Sequence, residues 1–149
     1  AVRHGIEVTA LPVVHFSARG LTDRNETLWA GFALKGQRSG GSLIHFEGDY
    51  GSIYRRIGQE YGPFDIALTA VGAYEPREIM KGYHCSLDDC VQAAIDLKAN
   101  NIIPVHWGTT VLGTEDIYET GEEFRTKALA KGIPDERIWI MKIGETRIF

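Results

Sequence analysis

Two histidines and one aspartate lie at or just after the ends of predicted strands. His15 and His106 each end a predicted strand, and Asp49 follows a predicted strand within Gly48-Asp49-Tyr50-Gly51. In open α/β sheets such strand-end groups converge on one edge, where ligands bind. Neutral imidazoles and carboxylates suit zinc, iron or manganese, and a carboxylate can bridge two cations. The three are therefore candidate metal ligands. A hydrogen-bonded histidine and a turn-forming aspartate are the ordinary alternatives.

Other side chains are candidates for contact with a substrate. His84 ends a long loop before a predicted helix, where an imidazole can donate a proton to a leaving group or hold an anion. A surface loop histidine is the alternative. Arg77 can bind a phosphate through its two-pronged guanidinium, or it can pair with Glu75. Ser17 and Arg19 follow the first histidine closely enough to face the same pocket.

The elements that must position these groups alternate between strands and helices. The pattern predicts two strand pieces within 6–16 ending at His15, then a hairpin of 27–35 with 42–47, a helix over 52–61 and a strand over 65–71. A loop over 72–83 precedes a helix capped by Ser86 and ending at 100–101, and a strand over 102–105 follows. A capping box at Thr120 predicts the last helix, followed by strands over 137–142 and 146–149. This order predicts one α/β layered domain.

Composition excludes several classes of protein. With 149 residues and 44% hydrophobic residues, the chain can bury one core but not two. The net charge of −4 gives no basic surplus for nucleic acid, so we expect no nucleic-acid partner. No apolar run reaches the ~18 residues of a membrane span. The chain has no serine-hydrolase elbow, P-loop or dinucleotide fingerprint.

The two cysteines, Cys85 and Cys90, are five positions apart, and the second falls within a predicted helix. This spacing is poor for a disulfide framework. We therefore expect two small buried thiols in a reducing compartment, which favours the cytoplasm.

Six short stretches occur in a recognisable order along the chain, namely PVVHFS (12–17), NETLW (25–29), FEGDYG (46–51), YGPFD (61–65), GAYEPR (72–77) and VHWGT (105–109). In these stretches the sequence resembles the metallo-β-lactamase-fold hydrolases, and within them the group of N-acyl-phosphatidylethanolamine-hydrolysing phospholipase D. The stretches cover nearly the whole chain. The resemblance implies an α/β fold, namely the C-terminal half of the four-layer αββα metallo-β-lactamase fold.

The resemblance also implies roles for single residues. His15 would be a histidine of one metal site, Asp49 the catalytic carboxylate bridging two metals, and His106 the last histidine of the second site. His84 would be catalytic, near the substrate phosphate. The implied metals are two zinc ions, with a hydroxide between them attacking the phosphorus of a small-molecule or lipid phosphodiester. We expect the substrate to be contacted by Ser17, Arg19, Arg77 and Trp107.

One motif of the family is absent from the sequence. Its first metal motif, His-X-His-X-Asp-His, has no match here, and three ligands cannot complete two zinc sites. We therefore expect residues 1–149 to be the C-terminal part of a single domain whose N-terminal half carries that motif. The fragment alone should be inactive.

The sequence is also compatible with two other functions. The chain could be a non-catalytic interaction or assembly domain that forms homo-oligomers through an exposed sheet edge. Within the enzyme class, it could derive from a lactonase acting on a sugar-phosphate lactone, since one fold hosts many reactions.

Overall fold

The sheet that supports the candidate site combines antiparallel and parallel strands. The computed structural model describes residues 1–37, 40–46 and 50–148, and within these ranges six strands lie side by side in chain order. They are β1 (Val2–Arg3), β2 (Ile6–Leu11), β3 (Gly31–Gly36), β4 (Ser42–Phe46), β5 (Phe64–Ala70) and β6 (Ala99–Val105). Strands β1 to β4 pair antiparallel, whereas β4, β5 and β6 are parallel. Parallel neighbours require crossover connections.

Helices provide these crossovers. Helix α1 (Ile53–Glu60) connects β4 to β5, while α2 (Arg77–Met80) and α3 (Leu87–Asp96) lie between β5 and β6. Helix α4 (Thr120–Ala130) and a 3₁₀ turn (Asp135–Arg137) follow. The predicted hairpin, α1, β5 and the Ser86 cap of α3 are confirmed, and the Ser86 hydroxyl accepts the Asp89 backbone N–H at 3.2 Å. Within the described ranges, no helix is both long and apolar enough to cross a membrane.

The core lies between one face of the sheet and these helices. Neighbouring positions on β4, β5 and β6, namely Ile44, Ala67 and Ile102, are at most 2% exposed. They belong to one cluster with Tyr54, Val91 and Phe124 from α1, α3 and α4. Burial of this apolar surface is the main force that holds the helices against the parallel strands.

The opposite face of the sheet is also apolar but more open. Phe32 is 44% exposed, and its neighbours in the sheet, Leu34, Leu43 and Leu68, are only half-buried. Leu34 pairs with Leu43 across the β3–β4 ladder, and His45 lies between Phe32 and Leu68 on the same face. Large open apolar surfaces are typical of interaction sites.

Two predicted element boundaries are wrong. Strand β2 ends at Leu11, so His15 lies in the following loop; Pro12 has no N–H to continue the ladder. Helix α3 ends at Asp96, and β6 begins at Ala99 rather than at 102. Lys98 takes a φ of 57°, a left-handed conformation that turns the chain directly from helix into strand.

The C-terminal region also differs from expectation. In place of the predicted strand over 137–142, only Ile138 bridges to Ile102, beside a bond from the Trp139 N–H to the Ile102 carbonyl. The described part of 146–149 is not a strand either, and residue 149 lies outside the described residues. The Lys142 N–H donates to the Glu145 carboxylate, which closes a local turn instead of a hairpin.

The predicted capping box at Thr120 is wrong as well. The carboxylate of Asp116 accepts the backbone N–H groups of Tyr118 and Glu119, and the Thr120 hydroxyl donates to the Asp116 carbonyl. Asp116 thus forms the turn that leads into α4. The Glu123 N–H, which a Thr120 cap would bond, donates instead to the Glu119 carbonyl at 3.0 Å.

The expectation of two free thiols is corrected by a disulfide between Cys85 and Cys90. Their Cα atoms are 5.7 Å apart, a separation typical of disulfides. Cys85 precedes the helix in an extended segment, and Cys90 lies in its first turns. A spacing of five therefore folds back across the helix N-terminus, which a continuous helix would not allow.

Candidate functional site

Three histidines from separate parts of the chain meet at one end of the sheet. His15 lies in the loop after β2, His84 lies between α2 and α3, and His106 directly follows β6. The ring centroids of His15 and His84 are 5.7 Å apart, and those of His84 and His106 are also 5.7 Å apart. His15 and His84 are half-buried, whereas His106 is exposed. The three imidazoles thus form a continuous row, which we call the histidine row.

His15 is held in one tautomer by its own loop. Its Nδ1 lies 2.9 Å from the carbonyl oxygen of Phe16, which can only accept, so Nδ1 carries the proton. The lone pair of the ring is then at Nε2, a nitrogen through which histidines bind metals. The Phe16 ring stacks on the imidazole at 5.1 Å with an interplanar angle of 6°. Both contacts fix the ring orientation.

His106 depends on a close approach of two backbone segments. Its φ is 65°, in the left-handed region that few residues other than glycine adopt. Beside it, the Val71 N–H donates to the Val105 carbonyl at 3.0 Å. A Cβ added to Gly72 would lie 2.0 Å from the His106 carbonyl oxygen and 3.2 Å from its Nδ1. Glycine at position 72 is therefore required for this arrangement.

His84 is positioned through its backbone. The Arg77 guanidinium donates to the His84 carbonyl at 2.7 Å, and the His84 N–H donates to the Met80 carbonyl at 2.9 Å. The backbone N–H of Arg77, rather than its guanidinium, donates to the Glu75 carboxylate at 2.9 Å. Arg77 thus ties α2 to the histidine row.

The loop after β5 is fastened by a carboxylate that the sequence did not single out. Glu115 accepts the backbone N–H of Ala73 at 2.6 Å and that of Glu75 at 3.2 Å. Ala73 has a φ of 60°, so an external partner has to stabilise this bend. The Tyr74 hydroxyl donates to Glu123 at 2.9 Å, and burial together with this bond raises the pKa of Tyr74 to about 12.

The other residues expected to contact the substrate lie in the loops beside the histidine row. The Ser17 hydroxyl donates to the Thr27 carbonyl at 2.7 Å, and the Trp107 indole donates to the Pro104 carbonyl at 2.9 Å. Arg19 is exposed in the loop after β2. Ser17 and Trp107 therefore shape the loops beside the histidine row, and Arg19 lies on the same loop as Ser17.

The donor types fit a transition metal, but the described residues do not complete a site. Imidazoles are ordinary ligands of zinc, and the tautomer of His15 suits this role. Asp49, the expected bridging carboxylate, lies outside the described residues. Among residues 1–37, 40–46 and 50–148, no three His, Cys, Asp or Glu side chains are grouped to hold an ion. A complete site therefore requires ligands beyond this set.

Comparison with known proteins identifies the family. The profile described as "Beta-lactamase superfamily domain" matches residues 1–107. The chain belongs to the beta-lactamase superfamily. The matched region contains His15, His84 and His106, so the whole histidine row lies in the part that defines membership.

Relatives in this superfamily include two curated proteins. The chain is 39% identical over 122 residues to "N-acyl-phosphatidylethanolamine-hydrolyzing phospholipase D 1" of Caenorhabditis elegans, a match that covers 78% of this chain and 33% of the relative. It is 32% identical over 146 residues to the mitochondrial "N-acyl-phosphatidylethanolamine-hydrolyzing phospholipase D" of Saccharomyces cerevisiae, covering 95% of this chain and 31% of the relative. The chain thus spans about a third of the length of these relatives.

The fold agrees with the superfamily assignment. The crystal structure of the metallo-beta-lactamase fold protein YhfI from Bacillus subtilis superposes with a TM-score of 0.61 at 10% identity, covering 89% of this chain and 45% of that chain. The expected metallo-β-lactamase α/β fold is confirmed. The resemblance to the phospholipase D group is likewise confirmed by the two curated relatives.

Proposed function

We propose that this chain forms part of the active site of a dinuclear-zinc phosphodiesterase that acts on a lipid or small-molecule phosphodiester. The observation that carries the proposal is the histidine row, in which His84 lies within 5.7 Å of both His15 and His106. The names of the two curated relatives favour a phospholipid as substrate. The proposed activity does not depend on the disulfide between Cys85 and Cys90.

In this proposal, the side chains of the row have different tasks. His15, His106 and Asp49 would hold the metals, the two histidines through their imidazoles and Asp49 through its carboxylate. Zinc, when bound, supplies Lewis acidity toward a phosphoryl oxygen and lowers the pKa of water. His84 lies between the two outer histidines and donates a proton to the leaving oxygen of the substrate. The surrounding loops carry the four residues that we propose contact the substrate, namely Ser17, Arg19, Arg77 and Trp107.

The proposal requires further ligands. Two zinc ions that share one carboxylate need more side chains than His15, Asp49 and His106 provide. We propose that a His-X-His-X-Asp-His motif from an N-terminal half of the same domain supplies them. These 149 residues alone would then be inactive. The experiments below accordingly use the product of the complete open reading frame that encodes this sequence, referred to as the full-length gene product.

The test separates metal binding from proton transfer. His106→Asn removes the imidazole, and asparagine tolerates the positive φ at this position. We expect it to lose zinc, measured by plasma mass spectrometry, together with hydrolysis of N-acyl-phosphatidylethanolamine. His84→Gln should retain zinc while its kcat falls by about 10²–10⁴-fold.

A matched control is available at His4. This residue also has a positive φ, 50°, but it is exposed near the start of the chain. His4→Asn should leave zinc content and hydrolysis unchanged. Zinc content of His106→Asn equal to that of His4→Asn would refute the metal assignment. A full-length gene product that neither binds zinc nor hydrolyses a phosphodiester would instead support an interaction or assembly domain.

Self-association through the sheet edge remains a proposal. The edge strand β1 contains two residues, Val2 and Arg3, which limits the number of backbone hydrogen bonds that a second copy could form. Sedimentation velocity across a range of concentrations measures this association. A single species at the monomer mass throughout would exclude it.

A further inference from the structure

An arginine beside the histidine row is held in place by two aromatic rings. The guanidinium carbon of Arg24 lies 4.6 Å from the centroid of the Phe16 ring and 5.7 Å from that of Tyr83. The same guanidinium donates to the Tyr83 hydroxyl at 3.0 Å, and the two rings meet edge to face at 4.9 Å. Cation–π contacts of this kind fix the position of the charge while leaving other N–H groups available.

This charge has no acidic partner among the described residues. No ion pair joins Arg24 to a carboxylate within residues 1–37, 40–46 and 50–148. Its neighbour in sequence, Asp23, instead accepts the backbone N–H groups of Arg19 and Gly20, at 3.0 and 2.7 Å. Those bonds lower the pKa of Asp23, so it stays ionised in its own turn. Arg24 is therefore an exposed cation that two rings hold in place and that has no acidic partner among the described residues.

The cation is directly connected to the histidine row. Phe16 stacks on the His15 ring, and Tyr83 is adjacent to His84 in sequence. Arg24 thus packs against Phe16 and Tyr83, which are the sequence neighbours of His15 and His84. A guanidinium with one N–H donated to Tyr83 retains four others, enough for a two-pronged bond to a phosphate or carboxylate.

The geometry points to Arg24 as a substrate-binding residue that recognises the negative charge of a phosphodiester and so discriminates it from neutral esters and lactones. This inference rests on the proposed function, because it takes the histidine row as the reaction centre. Arg24 contacts the bound substrate in this assignment and takes no part in proton transfer. Removing it should weaken binding of anionic substrates and leave the chemical step intact.

The experiment compares two substrates with the same leaving group in the full-length gene product. Bis(p-nitrophenyl) phosphate is an anion, whereas p-nitrophenyl acetate is neutral. For Arg24→Gln we expect KM for the anionic ester to rise about 10- to 100-fold, as for loss of hydrogen bonds to a charged group. Its kcat for the anionic ester, and both constants for the neutral ester, should stay within about twofold of wild type.

Two further variants test the geometry. Arg24→Lys retains the charge but not the planar fork, so KM for the anionic ester should lie between wild type and Arg24→Gln. Tyr83→Phe removes the hydroxyl that accepts from Arg24 and should raise the same KM by a smaller factor. Arg56→Gln, which alters an exposed arginine on α1, is the matched control and should change neither KM.

If Arg24→Gln changed KM equally for both substrates, or changed kcat alone, the assignment would be wrong. Arg24 would then only stabilise the packing of the loops that carry Phe16 and Tyr83. A wild-type protein without phosphodiesterase activity would refute the proposed function instead. In that case binding of inorganic phosphate, followed by ³¹P NMR, decides the question. Weaker binding in Arg24→Gln would support the anion site, and unchanged binding would refute it.

Discussion

Replacing Gly72 with alanine should displace His106 and weaken the candidate site, although no polar side chain is substituted. The new Cβ would lie 2.0 Å from the His106 carbonyl oxygen and 3.1 Å from its carbonyl carbon. Since real Cβ contacts do not fall below 3.0 Å, the two segments must separate by about 1 Å. The obstacle is backbone rather than a flexible side chain, so it cannot simply rotate away.

The expected cost follows from this overlap. Overpacking of this kind destabilises proteins by about 1–3 kcal/mol, and a displacement of about 1 Å at a reaction centre can cost about 10²-fold in rate. Gly82→Ala is the control, because nothing lies within 4 Å of a Cβ added there. Urea titration gives the free energy of unfolding, and zinc content and hydrolysis report on the site. If Gly72→Ala matched Gly82→Ala in all three, the close approach would not position His106.

Two further predictions concern the loop after β5. Glu115→Ala leaves the N–H groups of Ala73 and Glu75 without their acceptor and should lower the free energy of unfolding by about 1–3 kcal/mol. Glu115→Gln should lower it by less. Equal urea midpoints for wild type and Glu115→Ala would contradict this. Because the pKa of Tyr74 is raised to about 12 from 10.0, its contribution is complete below pH 10 and is lost as pH rises towards 12. Tyr74→Phe should flatten the fall in stability over that interval, measured by urea titration at several pH values, whereas an unchanged slope would show that Glu123 and burial do not perturb this phenol.

Much of the scaffold follows from local sequence patterns. The β3–β4 hairpin, α1, β5 and the Ser86 cap were all predictable, because apolar periodicity and capping chemistry act over a few residues. The prediction of a strand over 137–142 was wrong because it also rested on local pattern alone. The composition of this segment favours an extended strand, but among the described residues no strand of the sheet pairs with it beyond Ile138.

The candidate site was likewise only partly predictable from the sequence. Residue type and sequence context made His15, His84 and His106 candidates, yet their meeting in one row depends on how the loop after β2, the segment between α2 and α3 and the end of β6 pack together. The role of Glu115 had no signal in the sequence, since its partners Ala73 and Glu75 are distant along the chain.

The sequence by itself determined the family, the fold class and the residue types capable of metal and phosphate chemistry. Tertiary structure decided which of them meet, and it joined the Arg77 guanidinium to the His84 carbonyl. It also singled out Arg24, whose significance depends on two rings from separate loops. The physical reason is that local patterns record the preferences of neighbouring residues, whereas contacts between loops depend on backbone conformations, such as the left-handed His106, that only the packed chain stabilises.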